Sequence, residues 1–490
     1  MSTIDASAPT PERQDRGFFG HPKTLATIFG VEMWERFSFY GMQGILAIYL
    51  YYSASQGGLG ISEGTALGIV GAYGGAVYLS AIVGAWVADR LLGAERTLYY
   101  SAILIMLGHI ALALVPGLLG VGIGLVLVAL GSGGLKANAT AIVGNLYEPG
   151  DSRRDAGFSL FYLGINLGAL VGPLLTGLLQ KELGFHWGFG LAAVGMAAGL
   201  AQYQIGRKKL PKASHHIANP LPTSERPKWI IIVVAAIAVI ALAVSLGWIT
   251  ADNLSTIVIA VAIIGVVALF TLILKDREIT KDERSRVISF IPMFLGSVAF
   301  WSLYQQQFTV LAVYSDKQLN RNLLGWEMPV SWINSINPIF IIILSGVFAA
   351  MWTKLGDRQP PAPVKFALAC LGMGIAFLLF LVTAGGGENS TPMLWMVLIL
   401  FIFTLSELCL SPVGMSLSTK LAPEKFSTQM IALFYLSVSL GSALAGELAG
   451  LYTSWPEVQY FGTIGAISIV LGVALWLGSK PILRLMRGVR

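Results

Sequence analysis

Leu160-Phe161-Tyr162-Leu163-Gly164-Ile165-Asn166-Leu167-Gly168 recurs as Leu433-Phe434-Tyr435-Leu436-Ser437-Val438-Ser439-Leu440-Gly441, and the register continues through Leu175/Leu448 and Gly177/Gly450. Both copies are apolar and keep small or polar residues in matching places. Two copies of one helix so far apart in a chain imply a duplicated helical unit. A shorter echo pairs Ala88-Asp89-Arg90 with Gly356-Asp357-Arg358, each after a long apolar run.

The composition around these copies identifies the solvent. Of 490 residues, 55% are hydrophobic and 12% charged, and the mean hydropathy is +0.72. Soluble domains carry about 25% charged residues, so the chain is placed in a bilayer. The 56 glycines and the lack of ten-residue alternating segments favour packed helices over a membrane barrel. Cys370 and Cys409 lie inside apolar runs, which points to helix packing and away from a disulfide framework.

Apolar stretches of about 20 residues, enough to cross a hydrocarbon core of about 30 Å, fall near 24–50, 66–90, 97–115, 119–146, 156–180, 186–206, 228–248, 254–274, 288–314, 331–354, 364–384, 392–420, 427–452 and 458–479. These are about fourteen spans, and an even number puts both termini on one side. Of the 32 Lys and Arg, about 27 fall on the terminal side, three (Lys181, Lys317, Arg321) on the other, and Arg36 and Lys136 inside the membrane. The positive-inside rule assigns both termini to the cytoplasm. Basic loops such as Arg207-Lys208-Lys209 are then topology signals, and no nucleic-acid partner is expected of the net charge of +6. Residues 1–23 are polar and carry proline, unlike a signal peptide.

The repeated helices keep one orientation if spans 228–248 and 254–274 separate two six-helix halves. Parallel repeats about an axis along the membrane normal, with a site at their interface, form the major facilitator architecture. The predicted fold is therefore an all-α membrane protein of that type, with two six-helix bundles plus two extra helices. Its expected divisions are a cytoplasmic tail 1–23, a bundle 24–206, a linker 207–287 carrying the extra spans, a bundle 288–479 and a cytoplasmic tail 480–490.

A charge at the bilayer centre costs about 2.5–3.5 kcal/mol on insertion scales, so those retained should face a cavity or a partner. Glu32, Glu35 and Arg36 stand at i, i+3 and i+4, with Tyr40 one turn on, and are expected to share a face. One guanidinium cannot neutralise two carboxylates, and the surplus one can carry a proton. Lys136 follows the small-residue run Gly131-Ser132-Gly133-Gly134, which leaves room for a long side chain, and Glu407 lies mid-span in the opposite half. A cavity with Arg36 and Lys136 on one wall and Glu407 on the other would suit a zwitterion. Tyr40, Tyr78, Tyr162, Asn166, Trp301, Asn337 and Phe434 fall in spans expected to line it, and Pro338 and Pro412 interrupt apolar helices as hinges. Glu447 takes the place of Leu174 in the repeat and is read as an interfacial or gap-filling residue, off the site.

These segments resemble the proton-dependent oligopeptide transporter family. Glu32-Met33-Trp34-Glu35-Arg36-Phe37-Ser38-Phe39-Tyr40-Gly41 is similar to its E-x-x-E-R-F-x-Y-Y signature, and residues 84–97, GAWVADRLLGAERT, to its loop signature between helices two and three. Residues 161–168, FYLGINLG, and 406–420, SELCLSPVGMSLSTK, are similar to its helix five and helix ten segments. The resemblance implies that Glu32, Glu35 and Arg36 couple protons, that Arg36 and Lys136 face a peptide carboxyl terminus, and that Glu407 faces its amino terminus. It also implies pocket roles for Tyr40, Tyr78, Asn166, Trp301, Asn337, Ser411 and Phe434. The chain departs from the pattern at Phe39, where the family often has Tyr, at Gln305, where many members have Glu, and at Phe434, where several bacterial members have Trp. The second span carries no His, unlike animal members, so coupling must rest on carboxylates.

The resemblance implies proton-driven import of di- and tripeptides through the cytoplasmic membrane, with lipid around it, a proton co-transported and no cofactor. The alternative is a proton-coupled transporter of another small anion, such as nitrate or an organic acid; Glu407 argues against it, since an anion site gains nothing from a carboxylate. A membrane enzyme or receptor is a rival of another class, but no nucleophile with a base and no phosphate loop is visible, and the five His (21, 109, 186, 215, 216) lack ligand spacing.

Overall fold

A computed structural model describes residues 17–148, 151 and 153–489. Of the expected terminal tails, residues 1–16 and 490 lie outside the described residues. Fourteen helices of 18 residues or more are present among the described residues. The first six are α1 Lys23–Tyr51, α2 Glu63–Val87, α3 Ala94–Leu114, α4 Gly117–Gly144, α5 Arg154–Leu183 and α6 Phe185–Gly206. Two more, α7 Arg226–Ser245 and α8 Leu254–Lys275, precede a second set of six. These are α9 Lys281–Tyr304, α10 Ile336–Leu355, α11 Ala362–Leu379, α12 Met393–Lys420, α13 Ser427–Tyr452 and α14 Glu457–Leu477. Twelve of the fourteen are long and apolar enough to cross a membrane. The other two are α1, which carries Glu32, Glu35 and Arg36, and the Gly-rich α6.

Local chemistry sets many of the starts. The Ser62 side chain accepts from Thr65 N ahead of α2, and Thr280 with Glu283 forms a capping box ahead of α9. Proline stands just before α1, α4, α11, α12 and α14, where its missing N–H is not needed.

Two spans depart from the sequence expectation. The run expected over 288–314 is broken: after α9 comes a 3-10 turn Gln305–Phe308, then Thr309 with φ −120° and ψ −94°, then a short helix Val310–Lys317. Side chains hold this break, with Gln306 Nε2 donating to Ser302 O at 3.2 Å and Tyr460 Oη donating to Gln306 Oε1 at 2.7 Å. The run expected over 331–354 begins as a 3-10 turn Val330–Ser335. Pro338 therefore falls in the first turn of α10, where no helical bond is lost, and does not interrupt the helix as expected. Pro412 does lie inside α12, as do Pro173 inside α5 and Pro292 inside α9.

The duplication organises the packing. Helices α1–α6 pack as one bundle and α9–α14 as another, and the bundles meet along two seams, α2 with α13 and α5 with α10. Since α13 repeats α5 and the echo after α10 repeats that after α2, these seams are one helix pair used twice. Close approach needs small residues. A Cβ on Gly71 would lie 2.5 Å from Gly446 Cα, so the α2–α13 seam is backbone against backbone there. The other seam is stitched by Ser331, Trp332 and Ser335, which donate to the carbonyls of Pro173, Leu174 and Leu170 at 2.9, 3.0 and 2.8 Å.

One end of the molecule is sealed. Tyr51 and Tyr52 on the α1 side both donate to the Asp316 carboxylate, at 2.7 and 2.6 Å. Lys317 pairs with Glu63, and Lys181 donates to the Glu327 carbonyl. Arg321 pairs with Glu327 at 2.7 Å. Lys181, Lys317 and Arg321, the three basic residues read onto the minority side, thus gather at this closed end, opposite the termini. Between the halves, α7 has no buried residue, whereas α8 packs on both α13 and α2.

Candidate functional site

Between the bundles lies a cavity of about 260 Å³. Glu32, Arg36 and Tyr40 reach it from α1, Tyr78 from α2, Lys136 from α4 and Asn166 from α5. Trp301 reaches it from α9, Asn337 from α10, Glu407 and Ser411 from α12, and Phe434 from α13. Its floor toward the sealed end is buried Gln43, Gln307, Phe308 and Asn334, while Thr140 and Tyr162, toward the terminal end, are exposed. The structure is thus closed at one end and open toward the other.

Glu35 is the exception among the expected residues. Arg36 Nε binds Glu32 Oε1 at 3.0 Å and Glu35 Oε2 at 2.7 Å, but Glu35 is fully buried, absent from the cavity wall, and its Oε1 accepts from Ser132 Oγ on α4 at 2.8 Å. The expectation of one shared face is corrected here. At about 100° per residue, Glu35 is turned about 100° from Arg36, so with Arg36 toward the cavity Glu35 points at α4. Of the two α1 glutamates, the one at the wall is Glu32. Among the described residues Arg36 Nη2 and Glu32 Oε2 are buried without hydrogen-bond partners, so the cluster has polar capacity left over.

The Lys136 ammonium lies 4.4 Å from the Tyr78 ring centroid and 5.0 Å from that of Phe39. Phe39, one of the departures from the family signature, therefore offers its ring face to the amine. On the opposite wall Glu407 Oε2 accepts from Tyr304 Oη at 2.8 Å and Asn337 Nδ2 at 3.2 Å, and Asn337 Nδ2 also donates to Thr404 Oγ1 at 3.1 Å. Two neutral donors orient this carboxylate, and no ion pair engages it among the described residues. Two aromatic pairs cross between the bundles, Tyr40 on Phe308 at 6.0 Å and Tyr78 on Tyr435 at 6.4 Å. Asn166 Nδ2 donates back to Tyr162 O at 2.9 Å, and Trp301 Nε1 is buried without a partner among the described residues. Gln305 also lines the wall.

The site also contains residues not singled out from the sequence: Tyr304, Gln307, Phe308, Thr140, Met415 and Tyr435. Tyr304 stands one turn after Trp301, and Met415 one turn after Ser411; helical spacing from residues already identified would have found both.

Residues 95–469 match the POT family. The chain belongs to the POT family. Proteins similar to it include one of Bacillus subtilis (strain 168) named "Uncharacterized transporter YclF", 44% identical over 100% of both chains. Another is the "Di-/tripeptide transporter" of Lactococcus lactis subsp. cremoris, 39% identical over 98% of this chain and 99% of that one. A crystal structure of a peptide transporter POT in complex with sulfate superposes with a TM-score of 0.93 at 46% identity, covering 97% of this chain and 98% of that one. The resemblance drawn from the motifs holds, and this POT-family chain is a multi-pass membrane protein with the major facilitator fold.

Proposed function

We propose that the protein is a symporter that imports di- and tripeptides with protons, by alternating access, across the cytoplasmic membrane, both termini lying in the cytoplasm. The observation that carries this is the cavity between two repeated bundles with Arg36 and Lys136 on one wall and Glu407 on the other. A peptide is a zwitterion, and charge-assisted hydrogen bonds to its two ends offset the cost of desolvating them. The aromatic and amide lining between the charges accepts varied side chains. Relatives named as di-/tripeptide and peptide transporters support the substrate class. Glu407 disfavours an inorganic or organic anion, for which a carboxylate wall is repulsive, and no catalytic step is assigned.

Coupling follows from the α1 cluster. Of the two α1 glutamates Glu32 is the one at the cavity wall, so a proton arriving through the cavity can reach it, whereas Glu35 is tied to Ser132. A neutral Glu32 gives up its ion pair with Arg36, so the guanidinium keeps Glu35 as its one α1 carboxylate and has charge to offer the peptide carboxylate; proton and peptide then favour the same state. The test is Glu32→Gln in proteoliposomes. Accumulation driven by a pH gradient should disappear while peptide counterflow persists; normal gradient-driven accumulation would end the coupling scheme. Absence of any net peptide flux in the unsubstituted protein would end the transport reading.

A further inference from the structure

The α7–α8 hairpin inserted between the bundles touches both of them, in different ways at its two ends. At the terminal end its legs are divided. The segment leading into α7 belongs to the first bundle: Asn219 N and Leu221 N donate to the carbonyls of Asp89 and Arg90 at 2.9 and 2.8 Å, and Trp229 lies 4.7 Å from Trp86, centroid to centroid. The end of α8 belongs to the second. Phe270 meets Phe294 edge-on at 5.8 Å, and Lys425 Nζ donates to Asp276 Oδ2 at 2.8 Å and Glu278 Oε2 at 2.7 Å.

At the sealed end the apex meets both bundles at once. Thr65 Oγ1 on α2 donates to Asp252 Oδ1 at 2.5 Å, and Ser255 Oγ and Thr256 Oγ1 donate to Glu447 Oε1 on α13 at 2.7 and 2.5 Å. Along the seam below, Ser255 lies over Gly68 and Val258 over Gly75 on α2, while Gly265 faces Leu436 on α13. Among the described residues neither Asp252 nor Glu447 has an ion-pair partner. Each carboxylate is instead held by hydroxyls, in charge-assisted bonds. Glu447, read from the sequence as interfacial or gap-filling and off the site, does stand off the cavity, and it is bonded to the hairpin and not merely filling a gap. In the repeat its place is held by Leu174, so the bundle itself can do without a carboxylate there. What Glu447 has and Leu174 lacks is the hairpin beside it.

We propose that the hairpin is a conformational clasp. Its apex bonds bridge α2 to α13 and stabilise the state closed at this end, while its divided legs tie that grip to the separation of the bundles at the other end. When α2 and α13 part at the sealed end, Thr65 and Glu447 move away from each other, and the chain of bonds through Asp252, Ser255 and Thr256 must open. Closing the terminal end draws the two legs together and so shifts load onto the apex. The clasp thereby sets how readily the protein leaves the state described here. The inference rests on the alternating-access reading.

The test measures a distance across the sealed end of the full-length protein in liposomes. Spin labels are placed through Ala54→Cys and Ser454→Cys, with Cys370→Ala and Cys409→Ala as background. The double variant Thr65→Val, Glu447→Leu removes all three apex hydrogen bonds, and leucine is the residue at the matching place of the other repeat. The expected result is a longer-distance population, with the open-to-sealed ratio at that end raised roughly tenfold or more. Thr65→Val alone should move the ratio the same way by less, and it serves as the readout if the double variant does not fold. A distribution unchanged from the parent overturns the clasp, as does a loss of thermal stability with no change in distance. Dialanine at acid pH separates the two ideas: a parent that redistributes keeps alternating access alive whatever the variants do. A parent that never redistributes removes alternating access.

Discussion

Replacing Glu407 by glutamine separates the charge on the second bundle from the architecture that presents it. The carboxylate Oε2 accepts from Tyr304 and Asn337, and a glutamine carbonyl can accept from the same two donors, so no buried donor is orphaned and folding should change little. What is lost is attraction to a cationic amino terminus. At about 3 Å and an effective dielectric near 20 that attraction is roughly 5–6 kcal/mol, and desolvation of the two charges takes back several kcal/mol. A net loss of about 2–4 kcal/mol remains, in line with truncated buried charge pairs, or about 30- to 1000-fold in Kd. The assay is calorimetric titration of purified protein with dialanine and with N-acetyl-dialanine, in both the parent and Glu407→Gln. In the parent, acetylation should weaken binding by that same factor, because it deletes the same charge from the other side. In the variant, acetylation should cost little. The non-additivity of the cycle is the quantity that matters. If acetylation weakens binding equally in both proteins, the peptide amino terminus does not face Glu407.

Lys136→Ala should reduce dipeptide uptake strongly while leaving binding of a peptide amide, which lacks the carboxylate, nearly unchanged; equal losses for both ligands would remove Lys136 from the carboxyl-terminal subsite. Ser132→Ala removes the hydroxyl that fixes Glu35 and should cost about 1–3 kcal/mol, read as a lowered thermal midpoint with peptide affinity preserved; an unchanged midpoint would mean that the Ser132–Glu35 bond is not structural. Gly71→Ala places a methyl 2.5 Å from Gly446 Cα, where only movement of backbone can relieve it, so flux in proteoliposomes should fall at least about tenfold even though the protein still inserts. Full activity would mean that this seam is not a rigid pivot.

How much of this was legible in the sequence depended on whether the signal was local. The repeat at 160–168 and 433–441 carried the fold because a duplicated helix must pack in equivalent ways, and the seams α2–α13 and α5–α10 are that equivalence. Intramembrane charge carried much of the site, since burying Arg36, Lys136 or Glu407 in lipid is too costly to leave unexplained. Rotation within a helix was less visible. Glu35 and Arg36 are neighbours in sequence, yet one bonds Ser132 and the other lines the cavity, a difference decided by which way α4 approaches. Tyr304 was hidden for a related reason: among many aromatics, the one that orients Glu407 is identified only when α9 and α12 are packed together. The break at Gln305–Thr309 has no proline or glycine to announce it and is held by a bond from Tyr460, over 150 residues away. Glu447 belongs to both groups. Comparison with Leu174 marks it as a polar residue the repeat does not require, which is visible in sequence. Its partners Ser255 and Thr256 lie on an inserted helix outside the duplication, and the repeat contains nothing that could point to them. Polar residues that break the symmetry of the duplicated bundles therefore have partners outside the repeat pattern: for Lys136 and Glu407 the cavity, and for Glu447 the hairpin.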